Sequence, residues 1–523
     1  MTTARPGQTR ERLALLLILA AALFLRLPGT AWELPGRLHA FSYHPDELPV
    51  LGAASSVWPC GQGFNPRFYN YGTLQIYLLS VPAALSRSPD GINLAFATLL
   101  SRLLTALMGT ATVAVCWYGG RRVAGVAGAV TAAAFVAIAP VHVQHSQFVT
   151  VDVPAAFWTS LALVAAISAR TGAGGFFAGL AAATKYPAGA AVSAPLAAVW
   201  LMVSRAKRPK AAKAGAATAV AAAALAGFLI GCPGALIWTA DFVRGLTYEM
   251  SHVSSGHGLV FRDTGPGPFH HLFRSLLPGL GWPLLALAAA AIILALGRRQ
   301  KDARVLLIFA FVYFVLISLG VVRFARYVMP LIPALALLCA ALMRQPRPRW
   351  AIPAVSAALA VTAAYGLLLN NAFLKPDPRT QAAEWIWEQA SEHSISVAGP
   401  TVPWFYSPPL SPEFGALSVE DRRAAAAQAR GVRMLVGASD WDVSILDQDP
   451  DAVVISDFES EDPERLKEAD FERFMSRVRR DYKPARQFGG QPGVEFFTLG
   501  WKLPHDMRYP SPEIAVYVRK AQP

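Results

Sequence analysis

The sequence predicts a polytopic α-helical membrane protein of about 11 spans with a C-terminal extracytoplasmic α/β domain. Three observations predict it. Hydrophobic residues make up 54% of the 523 positions and charged residues only 15%, where a soluble globular chain carries roughly a quarter charged. Apolar runs long enough to cross a bilayer recur along residues 13–370 and then stop. Clusters of Lys and Arg fall between alternate runs.

The runs lie at about 13–32, 98–119, 124–140, 153–169, 173–186, 187–204, 214–238, 276–296, 304–320, 327–343 and 350–370. Arg10 and Arg12 precede the first in the manner of a signal peptide. No small-residue cleavage site follows, and Arg26-Leu27-Pro28 carries the helix on, so it reads as a retained span. The basic clusters are Arg5/Arg10/Arg12, Arg121-Arg122, Arg205/Lys207/Arg208/Lys210/Lys213, Arg298-Arg299/Lys301/Arg304 and Arg344/Arg347/Arg349. All fall on one side if these spans hold, which places the N-terminus in the cytoplasm. The net charge of +13 is therefore mostly a topology signal. A nucleic-acid surface is the poorer explanation, because the charges are scattered between spans.

Residues 71–86 look like a span, but counting them would put Arg121-Arg122 outside. They read instead as a helix in the outer interface, with Tyr71, Tyr77 and Arg87 at headgroup level. This makes 33–97 one external loop of a transmembrane domain over 1–370. Residues 371–523 have a soluble pattern. Short apolar runs at 395–397, 434–436 and 452–455 alternate with helix-like stretches at 380–391, 419–430 and 463–480. An odd number of spans leaves this domain outside.

Candidate chemistry gathers at the predicted outer face. Tyr43-His44-Pro45-Asp46-Glu47-Leu48 holds two adjacent carboxylates just beyond the first span, where ionised groups are costly and usually functional. They either cap an interfacial helix after Pro45 or include a general base for a hydroxyl nucleophile. Asp152 precedes Val153-Pro154 at a span entrance, so it either caps that helix or brings a further carboxylate to the site. Lys185, in Thr184-Lys185-Tyr186-Pro187, either snorkels or meets a lipid phosphate. Arg323 and Arg326 have the spacing of one helical face. Their guanidinium forks suit phosphate oxygens, or they anchor the chain at the interface. His44, His252, His257, His270 and His271 invite a metal, but no ligand spacing is diagnostic, and they read as loop histidines. Cys60 and Cys232 both fall on the outer side, open to pairing. Cys116 and Cys339 sit in apolar runs.

Taken in order, these motifs resemble the membrane glycosyltransferases of the GT-C fold, in the broad family of protein O-mannosyltransferases and lipid A aminoarabinose transferases. The likeness runs through Leu25-Arg26-Leu27, Asp46-Glu47 and Arg102-Leu103-Leu104-Thr105-Ala106-Leu107 to Arg121-Arg122. It continues through Ser146 to Asp152, Gly179 to Lys185-Tyr186, and Arg326-Tyr327 with Pro330 and Pro333. It ends at Asp377-Pro378-Arg379-Thr380 with Ala383, Trp385 and Ile386. Tyr69-Asn70-Tyr71-Gly72 stands where many members carry a Lys-Pro-Pro-like stretch.

The resemblance implies an inverting transfer, at the outer face of the inner membrane, from a polyprenyl-phosphate-linked sugar to a hydroxyl acceptor. Asp46 would be the base. His44, Glu47, Asp152, Tyr186 and Tyr327 would line the substrates. Lys185, Arg323 and Arg326 would hold the phosphate. No cofactor or nucleic-acid partner is expected. No nucleotide-binding loop is present, in keeping with a lipid-linked donor. The alternative is a transporter or flippase of a lipid-linked sugar, which calls for charges near mid-span and broken helices along a path.

Overall fold

The computed structural model describes residues 6–201, 210–298, 300–390, 394–411, 418–427, 432–494 and 497–520. Arg5, Arg205, Lys207, Arg208 and Arg299 of the basic clusters, and the end of the helix expected over 419–430, lie outside the described residues. Contacts divide the chain into two units. The first is Met1–Thr30, Val50–His257 and Phe261–Asn370, and the second is Ala31–Pro49, Gly258–Val260 and Asn371–Pro523.

The first unit is helical. In chain order it holds α1 (Pro6–Phe24), most of α2 (Glu47–Ser56), α3 (Leu74–Leu85), a short hairpin of β1 (Arg87–Ser88) and β2 (Gly91–Ile92), α4 (Leu94–Ile138) and α5 (Pro140–His145). There follow α6 (Asp152–Ile167), α7 (Thr171–Ala182), α8 (Ser193–Leu201), α9 (Lys210–Gly231), α10 (Gly234–Ile237), α11 (Thr239–Ser255) and α12 (Gly267–His270). The last are α13 (Leu277–Gly297), α14 (Lys301–Ser318), α15 (Leu331–Ala340) and α16 (Ala351–Asn370). Among the described residues, five helical stretches are long and apolar enough to cross a membrane, and four further apolar helices are shorter. The protein is a membrane protein.

Every run read as a span carries a helix, and the breaks have local causes. The α4 helix is two helices in one. Gly125 takes φ +65°, which a residue with a Cβ rarely adopts, and the chain turns there between the runs expected at 98–119 and 124–140. Pro140, Pro154 and Pro187 each lie at or near a helix start, where a missing N–H costs nothing. The α3 helix has 12 residues. At 1.5 Å per residue that is roughly 18 Å, too short for a hydrocarbon core of about 30 Å. The four cysteines are buried free thiols, so Cys60 and Cys232 are not bonded to each other.

The second unit is an α/β domain. Its sheet comprises β3 (Ser396–Gly399), β4 (Arg433–Val436), β5 (Ala452–Ser456), β6 (Tyr482–Gly489) and, after a hairpin of β7 (Gly493–Val494) and β8 (Phe497–Thr498), β9 (Glu513–Arg519). The order is β4-β3-β5-β9-β6. Strands β4, β3 and β5 run parallel, while β9 is antiparallel to both of its neighbours. The central β5 is buried at every position, as its unbroken apolar run requires. Among the described residues, four helices accompany the sheet: α17 (Pro378–Ala390), α18 (Val419–Ala427), α19 (Asp457–Leu466) and α20 (Ala469–Asp481). Phe471, Phe474, Met475 and Val478 of α20 recur at helical spacing and pack with Ala398, Leu435, Val453 and Ile455 of the strands. Ser456 and Glu459 start α19 with a capping box.

The external loop expected over 33–97 thus divides at Pro49. Residues Ala31–Pro49, which carry the acidic pair, pack with the C-terminal residues, whereas Val50 onward belongs to the helical unit.

Candidate functional site

Within the helical unit, three ionisable side chains from distant points of the sequence meet. Asp152 is the first residue of α6, where the positive end of the helix dipole favours a carboxylate. Lys185 Nζ lies 2.5 Å from its Oδ1, and Arg326 Nε lies 3.6 Å from its Oδ2. All three are buried. Each sits where an apolar helix is interrupted. Lys185 has extended backbone as the residue capping a 3₁₀ turn, Tyr186–Val192, that has Pro187 in its first turn, where a missing N–H is no loss. Arg326 lies in the 3₁₀ turn Ala325–Val328, just ahead of Pro330. The Lys185 ammonium also lies 4.2 Å from the centre of the Tyr327 ring, and the Arg326 guanidinium 4.0 Å from that of Phe324. Cations over aromatic faces keep part of their solvation by the ring quadrupole.

Two sequence expectations change here. The helix α14 ends at Ser318, so residues 320–324 are not helical and the one-face pairing of Arg323 with Arg326 does not form. Arg323 turns away to donate to the carbonyls of Gly320 (2.8 Å) and Gly265 (2.5 Å). Tyr186 neighbours Lys185 in sequence, but its hydroxyl donates to the carbonyls of Tyr69 (2.8 Å) and Tyr71 (2.9 Å). It therefore pins the Tyr69-Asn70-Tyr71-Gly72 turn. His270 and His271 bond to backbone carbonyls of Arg323 and Ile317, each at 3.1 Å. No group of three or more metal-ligating side chains is found among the described residues.

Arg26 has a larger structural part than its sequence position suggested. It is fully buried, and its guanidinium donates to the carbonyls of Ala22, Val136 and Ala137 and to Ser146 Oγ. It also faces His142 Nδ1 at 2.9 Å. Because arginine only donates, His142 accepts at that nitrogen. The signal was available: a lone cation inside an apolar run needs internal acceptors.

In the second unit the acidic pair sits on a turn into α2. Glu47 is buried and accepts a bond from the Ser42 hydroxyl, and Ser42 Oγ accepts from the His44 N–H at 3.0 Å. Asp46 is half-buried, and its N–H donates to His44 Nδ1 at 3.2 Å. The His44 ring meets the Tyr509 ring edge-on, 4.6 Å between centres. Just upstream, Glu33 accepts from the Asp377 N–H (3.2 Å) and the Thr380 hydroxyl (3.1 Å) and pairs with His39 (3.3 Å). Burial pushes the Glu33 carboxyl up, but these donors and the His39 charge outweigh it and hold the group below its ordinary value. Sequence reading did not single out Glu33, because its donors Asp377 and Thr380 lie more than three hundred residues away.

No protein-family model and no curated protein matches the chain. Among solved structures, the chain is similar to the oligosaccharyltransferase AglB from Archaeoglobus fulgidus, in complex with an inhibitory peptide and a dolichol-phosphate. Identity is 13% over 99% of this chain and 77% of that one, with a TM-score of 0.48. It is similar also to ArnT from Cupriavidus metallidurans bound to undecaprenyl phosphate, at 16% identity over 98% of both chains and a TM-score of 0.48. A partial likeness, to the S. cerevisiae protein O-mannosyltransferase Pmt1–Pmt2 complex bound to the sugar donor, covers 46% of this chain and 35% of that one. It has 16% identity and a TM-score of 0.34.

Proposed function

We propose that the protein is an inverting glycosyltransferase. It moves a sugar from a polyprenyl-phosphate donor to a hydroxyl acceptor at the outer face of the inner membrane. The observation that carries the reading is the buried meeting of Lys185 and Arg326 on Asp152 in an apolar helical unit. Ionisable groups inside a bundle are expensive, and a built cluster of them marks a site for a charged ligand. A phosphate diester gains charge on the leaving oxygen as its bond to the anomeric carbon breaks. A fixed ammonium and guanidinium stabilise that charge more than they stabilise the ground state.

In this reading Asp46 takes the proton of the acceptor hydroxyl as its oxygen bonds to the anomeric carbon and the lipid phosphate departs from the opposite side. One displacement inverts the configuration. Glu47, fixed by Ser42, and His44 orient the turn that bears Asp46. Tyr327 flanks Lys185, and Arg323 drops out of the phosphate role. The N-terminus is cytoplasmic and the 371–523 domain extracytoplasmic, as the basic clusters favour.

Native mass spectrometry of the purified chain tests the donor site. Undecaprenyl phosphate should bind the unaltered protein, bind at least tenfold more weakly to Lys185→Ala and Arg326→Ala, and outcompete the uncharged polyprenol. Equal binding of alcohol and phosphate would defeat the reading.

A further inference from the structure

We infer that Arg379 is a positioning residue for the acidic turn, acting through Tyr43. The inference deepens the reading of Asp46 as base and rests on it. Arg379 and Asp377 are both fully buried. Arg379 Nε donates to Asp377 Oδ1 at 2.7 Å and Nη2 to Oδ2 at 2.6 Å, a two-point fork. Nη1 also donates to the carbonyl of Phe405 and Nη2 to that of Tyr509, each at 2.6 Å. One guanidinium therefore fixes three separate stretches of the C-terminal chain. Its Cζ lies 3.9 Å from the centre of the Tyr43 ring. The His39 imidazole stacks on the same ring at 4.3 Å, and the Tyr43 hydroxyl bonds Thr380 Oγ1 at 3.0 Å.

Stability alone does not account for this arrangement. A buried ion pair costs so much desolvation that apolar residues of like volume would serve the fold as well or better. What an apolar filler lacks is direction. The planar fork orients the guanidinium, and the guanidinium and Thr380 orient Tyr43. Tyr43 is followed by His44, whose ring abuts Tyr509, itself a carbonyl partner of Arg379. The turn bearing Asp46 is thus gripped through two successive residues by one arginine. A misplacement of about 1 Å in a reacting group costs on the order of a hundredfold in rate, so an orienting device here has a kinetic consequence.

The test uses the full-length protein in membranes, with Arg379→Lys, Tyr43→Leu and Asp46→Asn. Arg379→Lys keeps the charge but loses the fork. Tyr43→Leu leaves the Arg379–Asp377 pair whole and covers the case in which Arg379→Lys does not fold. For the folded variants, kcat should fall at least tenfold with donor KM within about twofold. Backbone amide exchange should rise over residues 41–49 while that of β5 and α20 stays protected. Exchange rising evenly through the domain would indicate mere structural support and overturn the inference. So would wild-type kcat in a folded Tyr43→Leu or Arg379→Lys protein when Asp46→Asn is inactive. If Asp46→Asn transfers normally, the base assignment fails, and this inference with it.

Discussion

Lys185 Nζ and Asp152 Oδ1 lie 2.5 Å apart, joined across 33 residues of sequence inside the helical unit. Arg326 shares the same carboxylate. Removing one member of a buried ionic group strands the others at a cost of about 3–5 kcal/mol. Asp152→Asn should therefore lower both thermal stability in detergent and donor binding. Arg326→Ala should raise the donor concentration needed for half-maximal rate. Arg326→Lys should restore it only in part, for want of a two-point fork. Full rescue by Lys would assign Arg326 to interfacial anchoring and leave the phosphate to Lys185.

Asp46→Asn should reduce turnover by roughly a hundredfold or more, the scale of a lost general base, with normal amounts of folded protein. Glu47→Gln should do less harm, because an amide still accepts from Ser42. Initial rates with a lipid-linked sugar separate the two.

Glu459 supplies a pH signature within the C-terminal domain. Burial lifts its carboxyl to about 7, against the pull of the Thr401 hydroxyl and the Ser456 N–H. Its value when unfolded is near 4.5, so between these values the folded state holds a proton that the unfolded state has lost. The contribution is present at low pH and is lost as pH rises through that window. Glu459→Gln keeps the capping geometry without the titration. Thermal unfolding should find this variant gaining on the unaltered protein as pH goes from 5 to 8. A constant difference in melting temperature would contradict the assignment.

Helices α7 and α9 meet through glycine. A Cβ on Gly179 would come within 2.0 Å of the Ala224 carbonyl oxygen, and one on Gly227 within 2.2 Å of that of Phe176. Gly179→Ala must therefore part the two backbones, at about 1–3 kcal/mol. A lower melting temperature in detergent is expected. An unchanged one would mean that the pair packs more loosely.

Orientation is open to labelling. A cysteine at the exposed Asp470 should react with a membrane-impermeant reagent in intact cells, and one at Lys210 should not; the four native thiols are buried. The opposite result would invert the topology.

The helices were legible because composition and charge placement act locally: an apolar run between basic clusters makes a span wherever it occurs. Asp152, Lys185 and Arg326 were legible one by one as polar residues in apolar surroundings, but not as partners, since pairing is a fact of packing. Arg323 misled because a three-residue spacing implies a shared face only inside a helix, and α14 has already ended at Ser318. The grip of Arg379 on Tyr43 left no local trace at all. It links residues more than three hundred apart, and no periodicity records such a meeting.

The division of the chain also sets an order of events in biogenesis. Residues 31–49 are synthesised early, whereas the bulk of their unit begins at 371. At about 5–20 residues per second, the acidic turn waits tens of seconds for its partners, while the intervening helices enter the membrane. Asp46 thus takes its final place among the last steps of synthesis. A chain interrupted before Arg379 carries every cationic residue of the helical unit and yet lacks the residues that hold the turn of Asp46.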